Sequence, residues 1–270
     1  MTRRILAMTV VACVLARTVA SQSAGGVTVT FLANEGVMLA GGGRKVLIDA
    51  LFERYSTGFA LAADSTRAAL AAARAPFDSV DLLLFTHQHG DHFHPAPTAA
   101  HLRANSRATL VTSAQVIDSM KRGAPGVAVP PRQLVARTTP PGSRRRETIN
   151  GVAVEMLGIA HPGQRNRGVE HLVYVVEIGG RRVLHAGDGE FTEEVYQAFR
   201  LDTVRIDVAL LPNWVVTSAE GKRVIERWIK PRQVVAIHLP DGAGATTTAA
   251  VQAAWPGAHA FHRSLDRRTW

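Results

Sequence analysis

Residues 86–95 read Thr-His-Gln-His-Gly-Asp-His-Phe-His-Pro. Four histidines and an aspartate fall within the eight residues from His87 to His94. Imidazole and carboxylate are the donors that suit zinc and similar divalent ions. On an extended or turning segment, His87 and His89 point to one side. Asp91 and His92, one turn later, address a second position nearby. Two metal ions about 3.5–4 Å apart can share one such stretch. A histidine run with an acid at this spacing is a metal-binding signal.

One loop does not complete two sites, so further donors must arrive from elsewhere. The candidates are His161, His171, His185, Asp188, His238, His259 and His262. Strand ends are the natural places for them. His161 follows an apolar strand expected over 152–158 and sits in a Pro/Gly turn. Asp188 lies just past a strand at 181–185, and His238 ends a strand at 233–237. His171 starts a strand and is an alternative to His161. His94, His101, His259 and His262 read as structural or surface residues. Trp214, after Pro212-Asn213, either walls a pocket or packs as an ordinary tryptophan. Asn34 and Glu35 sit in a turn near the site edge and are assigned no role.

The elements that carry these residues are legible as periods and turn signals. Strands are expected at 27–32, 45–49, 81–86 and 107–112, with a turn at glycines 41–43. Asp64 or Ser65 is expected to cap a helix over 66–75, and a second helix covers 113–122. The Pro, Gly and Arg-rich stretch 137–145 reads as a surface loop. Asn150-Gly151 and Gly179-Gly180 mark two hairpins. Helices follow at 192–200, 218–229 and 246–254, with a strand at 206–211. Hairpins plus strand–helix alternation in two halves predict two sheets with helices outside.

The chain has 270 residues, 46% hydrophobic and 20% charged. That excludes a disordered, collagen-like or polytopic membrane protein. The formal charge is +9, with 27 arginines against 4 lysines. Such a bias reads either as a codon preference or as phosphate recognition. The arginines are scattered, with one dense run at Arg144-Arg145-Arg146, so nucleic-acid binding is not expected.

Residues 1–20 read as a secretory signal peptide, and 21–270 as one domain. Arg3 and Arg4 form the positive start, Ile5 to Ala16 an apolar stretch too short to span a membrane, and Thr18-Val19-Ala20 precedes a cut at Ser21. Cleavage leaves +6 and removes Cys13, the one cysteine. A periplasmic or secreted location follows, without a transmembrane span in the mature chain. Lipidation at Cys13 and twin-arginine export are weaker variants.

Taken in order, these segments resemble the metallo-β-lactamase superfamily of metal-dependent hydrolases. The resemblance covers essentially the whole mature chain. It rests on HxHxDH at 87–92, the strand-terminal Asp49, His161, HAGD at 185–188, and His238 after VVAI. The gaps between His87, His161, Asp188 and His238 are 74, 27 and 50 residues. The resemblance implies an α/β fold, a four-layer αβ/βα sandwich with the site on one edge. It implies that His87, His89 and His161 hold one metal and that Asp91, His92 and His238 hold another. Asp188 would bridge them, and Asp49 would orient a ligand histidine. His185, on a buried strand three residues before Asp188, either faces the site as a supporting donor or is a core histidine bonded to backbone.

Two divalent ions, zinc with manganese or iron(II) as alternatives, lower the pKa of a bridging water from about 15.7 toward neutrality. The hydroxide then attacks a carbonyl carbon or phosphorus, with Asp91 as ligand and proton acceptor. The branch most resembled contains ascorbate-phosphate lactonases and N-acyl phosphatidylethanolamine phospholipase-like proteins. It is carried by FLANEGVML at 31–39, VLIDA at 46–50, VLHAGD at 183–188 and KPRQVVAIH at 230–238. The true β-lactamases resembling this motif place cysteine or serine where Asp188 falls. The expectation is an exported hydrolase acting on a small-molecule or lipid-like ester, lactone or phosphodiester. The alternatives are a non-catalytic metal-binding accessory protein, a β-lactamase, or a di-iron redox protein.

Overall fold

The computed structural model describes residues 25–53, 58 and 60–270. The expected signal peptide, Cys13 and Ser21 lie outside them. Among the described residues, no helix is long and apolar enough to cross a membrane.

Among the described residues, fourteen strands form two seven-stranded sheets. The first sheet is built from β1 (Thr28–Ala33), β2 (Gly36–Gly41), β3 (Arg44–Ile48), β4 (Leu82–Leu84), β5 (Thr109–Thr112) and β6 (Leu134–Ala136). The second takes β7 (Arg144–Ile149), β8 (Val152–Gly158), β9 (Leu172–Ile178), β10 (Arg181–His185), β11 (Val208–Pro212), β12 (Gln233–Ile237) and β13 (His259–Ala260). The last strand, β14 (Arg267–Thr269), returns to the first sheet and pairs antiparallel with β1. The orders are β14-β1-β2-β3-β4-β5-β6 and β13-β12-β11-β10-β9-β8-β7.

Helices α1 (Asp64–Ala71), α2 (Pro95–Ala104) and α3 (Ala114–Gly123) accompany the first sheet. Helices α4 (Glu193–Phe199), α5 (Asn213–Thr217), α6 (Ala219–Val224) and α7 (Gly244–Ala254) accompany the second. The result is a four-layer α/β sandwich, and the apolar patterning explains it. In β4, Leu82 and Leu84 enter the core between the sheets, while Leu83 packs outward with Leu102 of α2 and Val116 of α3. Ile48 and Leu47 divide in the same way. A strand covered on both faces needs an unbroken apolar run, and DLLLFT supplies it.

Several elements depart from the sequence reading. The first helix starts at Asp64 with no side-chain cap, because the residue in the capping position is Ala63; Asp64, already inside the first turn, pairs with Arg67 at 2.6 Å. Helix α2 has no counterpart among the expected elements; Pro95 occupies its first turn, where a missing N–H costs nothing. The helix expected over 218–229 is α6 followed by a wider turn at Ile225–Ile229, closed by a left-handed Lys230. The arginine run lies on β7, and Arg144, Arg145 and Arg146 pair with Glu155, Glu147 and Glu177.

Asp81 fastens the far end of the first sheet. Its buried carboxylate accepts from the Lys45 amide at 3.0 Å, from Arg44 at 3.0 Å and from Arg107 at 2.7 Å. Burial works against ionisation, but these bonds hold its pKa below the usual carboxylate value. Because the folded pKa is lowered, the stabilisation is present above about pH 4 and is lost as pH falls through the folded value. Asp81→Ala should cost about 1–3 kcal/mol at pH 7. Urea melts should show that gap narrowing in acid.

Candidate metal centre

Parallel strands β3 and β4, and β10, β11 and β12, end on one edge of the sandwich. Loops at the carboxyl ends of such strands carry ligand sites. From β4 the chain passes through Phe85 and Thr86 into the histidine loop. Thr86 is pinned by Asp49, whose carboxylate accepts from its amide at 2.8 Å and its hydroxyl at 2.6 Å. Past the loop, Phe93 is buried against Phe85. Between these anchors the chain turns once, with the His92 and Phe93 amides donating to the His89 carbonyl.

The turn divides the loop between two donor groups. His87 and His89 meet His161, and Asp91 and His92 meet Asp188 and His238. Within each group the nitrogen and oxygen atoms all lie within 4.8 Å of one another. Asp188 reaches both: its carboxylate lies 3.7 Å from His161 Nε2, 3.5 Å from His92 Nε2 and 3.6 Å from His238 Nε2. Asp91 stands 3.4 Å from both His92 Nε2 and His238 Nε2.

These spacings fit a tetrahedral ion. Donors about 2.0–2.1 Å from such an ion lie about 3.4 Å apart. His92 Nε2, His161 Nε2 and Asp188 Oδ1 are buried and have no hydrogen-bond partner in the protein. Protonation suits a metal at four of the donors, His87, His89, Asp91 and Asp188. Burial, then neighbouring histidines, push His87 well down, and burial followed by the charge of His161 lowers His89. Asp91 and Asp188 are held well below the usual carboxylate range: burial opposes this, but His238 and His92 prevail at Asp91, and chiefly His92 at Asp188. Neutral imidazoles and ionised carboxylates are the forms that bind metal. His92 differs: burial pulls its pKa down, but Asp188, Asp49 and Asp91 outweigh burial and raise it well above the usual histidine value, so an ion held there would displace its proton.

Each donor has a local reason for its place. Gly187 in HAGD adopts φ 54°, and a Cβ there would lie 2.7 Å from both Thr86 Cβ and His171 Nε2, so only glycine delivers Asp188. His161 is steadied by Asn166, whose amide nitrogen is 2.8 Å from Nδ1. His238 takes a left-handed φ of 57°, and its amide donates to the Asn34 carbonyl at 2.8 Å. Asp49 lies 2.9 Å from His92 Nδ1, so it orients that ring as well as Thr86.

Of its two readings, His185 takes that of a buried histidine bonded to backbone. Its Nε2 donates to the Glu35 main-chain carbonyl at 2.9 Å rather than to one of the seven donors. His171 is buried behind His87, with Nδ1 at 3.0 Å from the Ile159 carbonyl and a pKa pushed down to about 3 by burial. It is not part of either donor group. His101 bonds the Leu70 carbonyl. Trp214, 45% exposed, sets its ring 4.7 Å from His238 and forms one rim of the site. On the other side, a cavity of about 750 Å³ opens beside His161, lined by Pro140, Ile159, Arg167, Glu170 and Glu190 among others. That volume suits a small organic molecule. Asn34 and Glu35, given no role from the sequence, are both fully buried against the second group.

The beta-lactamase superfamily domain matches residues 44–256, most of the chain and all seven donors. The chain belongs to the metallo-β-lactamase superfamily of metal-dependent hydrolases. Within that superfamily it is 30% identical over 160 residues to a UPF0173 metal-dependent hydrolase of Symbiobacterium thermophilum, covering 58% of this chain and 64% of that one. The match thus spans less than two thirds of that relative. It is 26% identical over 215 residues to another from Pyrococcus furiosus, covering 78% and 84%. The metallo-β-lactamase fold protein YhfI of Bacillus subtilis superposes with a TM-score of 0.62 at 13% identity, covering 91% of this chain and 100% of that one. That likeness speaks for the sandwich fold.

Proposed function

We propose that this protein is an exported, binuclear metal-dependent hydrolase acting on an ester, lactone or phosphodiester. The observation that carries the reading is the carboxylate of Asp188, within 3.7 Å of donors in both groups. His87, His89 and His161 would hold one divalent ion, and Asp91, His92 and His238 the other, with Asp188 shared. Zinc suits a donor set of nitrogen and carboxylate oxygen without thiolate. Ions held there would supply an activated water and polarise the substrate oxygen.

The chain's own residues supply placement and proton handling. Asp91 faces both His92 and His238 and supplies the carboxylate that would receive the proton released by the attacking water. Asp49 keeps Nδ1 of His92 engaged and thereby aims Nε2 at the centre. The cavity beside His161 receives one part of the substrate, and the exposed face of Trp214 offers an apolar wall on the opposite side. A carboxylate at position 188, in place of cysteine or serine, speaks against a β-lactam as the physiological substrate. The positive start and short apolar stretch of residues 1–20 support export.

Metal analysis by mass spectrometry of the full chain, purified without added metal or chelator, tests the reading. About two zinc ions per chain are expected, with hydrolysis of a lactone or phosphodiester in a screen that includes β-lactams. One ion or none, with no activity restored by zinc or manganese, would overturn it.

A further inference from the structure

Among the described residues, the turn between β1 and β2 meets the site at the donors of the second group. Asn34 adopts φ 52° and is fully buried. Its side-chain amide donates to the Asp91 carbonyl at 3.0 Å and lies 3.4 Å from Asp91 Oδ2 and 3.5 Å from His238 Nε2. Its main-chain carbonyl accepts from the His238 amide. Glu35, next in the chain, is also fully buried. Its Oε2 stands 3.9 Å from Nδ1 of His92 and 3.9 Å from Nδ1 of His185. Its main-chain carbonyl fastens His185, three residues before Asp188.

Asp91, His92 and His238 are therefore reached directly from two consecutive residues, and Asp188 through the strand that delivers it. Gly36 lets the turn sit this close: a Cβ there would lie 2.8 Å from the Asp49 carbonyl oxygen. The Glu35 carboxyl carries a further sign of purpose. Neither of its oxygens has a hydrogen-bond partner in the protein. Burying such a group is costly, and an alanine or serine would fill the same turn without that cost. Unsatisfied buried polar groups in folded proteins call for a reason in function or ligand binding.

We propose that Asn34 and Glu35 are positioning residues for the second metal site, acting on Asp91, His92 and His238 and not on His87, His89 or His161. This rests on the binuclear reading above. Asn34 fixes Asp91 and His238 relative to each other. Glu35 stands behind His92 beside Asp49, so that ring has carboxyl groups on its rear side and metal donors on its front.

The test is cobalt(II) and zinc binding to the metal-free full chain, with the visible cobalt spectrum and a competing chelator resolving the two sites. The variants are Glu35→Gln, which keeps the shape, and Asn34→Gly, which removes the amide and tolerates the left-handed backbone. His89→Ala serves as the first-site comparison. Each turn variant should bind the second ion about 10–100-fold more weakly, the range for groups that orient ligands, and the first ion as before. Unchanged affinity for both ions in both variants would overturn the proposal. So would equal weakening of both sites in a chain whose metal-free melting temperature is unaltered. Should Glu35→Gln fail to fold, Asn34→Gly decides alone. A wild-type chain that binds only one ion would instead sink the binuclear reading, so the two failures are distinguishable.

Discussion

Replacing Asp188 with alanine is expected to remove at least one metal ion from the protein and to abolish its hydrolytic activity. Among the described residues, Asp188 supplies the one carboxylate that pairs with histidines of both groups, all within 3.7 Å. Groups that merely orient ligands cost about 10–100-fold when removed, so loss of a shared donor should exceed about 100-fold. The surrounding loop should survive. Ala186 is held by a main-chain bond to Leu210, and the Asp188 carboxylate is not part of the hydrophobic core. Asp188→Asn sharpens the result, since it keeps the volume and removes only the charge. Metal stoichiometry and hydrolysis rate, measured on the same preparation, provide the check. Two ions and full activity in Asp188→Ala would sink the shared role.

Stripping the metals should lower the melting temperature markedly, and adding zinc back should restore it in a concentration-dependent way. Asp49, Asp91, Asp188 and Glu35 crowd around His92, and burial plus the charge of Asp188 push the pKa of Glu35 well up. Divalent ions compensate such a concentration of acids. Any ion that binds only the folded chain stabilises it by mass action, about 4.1 kcal/mol at a thousandfold excess over Kd. For a chain of this size each kcal/mol moves the midpoint by about 2–4 °C, so a shift of about 8–16 °C is expected. Scanning calorimetry with and without chelator measures it directly. A midpoint indifferent to metal would mean that the seven donors do not form a tight site. Asp188→Ala should show a smaller shift than the wild type, because part of the linkage has gone.

Much of this centre is legible in the order of residues. The donors of the histidine loop lie within six residues, and a single turn of backbone suffices to split them between two groups. Asp49 and His238 directly follow unbroken apolar runs, and Asp188 comes shortly after the buried Val183 and Leu184; such segments become strands whose exits meet at one edge. His161 and His171 are harder to separate, since both lie near strand ends. Their rings stand only 6.0 Å apart. The choice between them turns on orientation: His171 is buried and bonded to the Ile159 carbonyl, while Asn166 steadies His161 with Nε2 toward the cluster.

Donor types, their order and the strands that deliver them thus follow from the sequence, because they depend on local spacing and on apolar periodicity. Which buried groups stand behind the donors follows only from long-range packing. Asn34 meets His238 across 204 residues of chain, and His185 meets Glu35 across 150. Such contacts leave no trace in local pattern. They exist because the β1–β2 turn and the ends of β10 and β12 are brought to one edge by the packing of two sheets around a common core, and that packing is set by the whole chain at once.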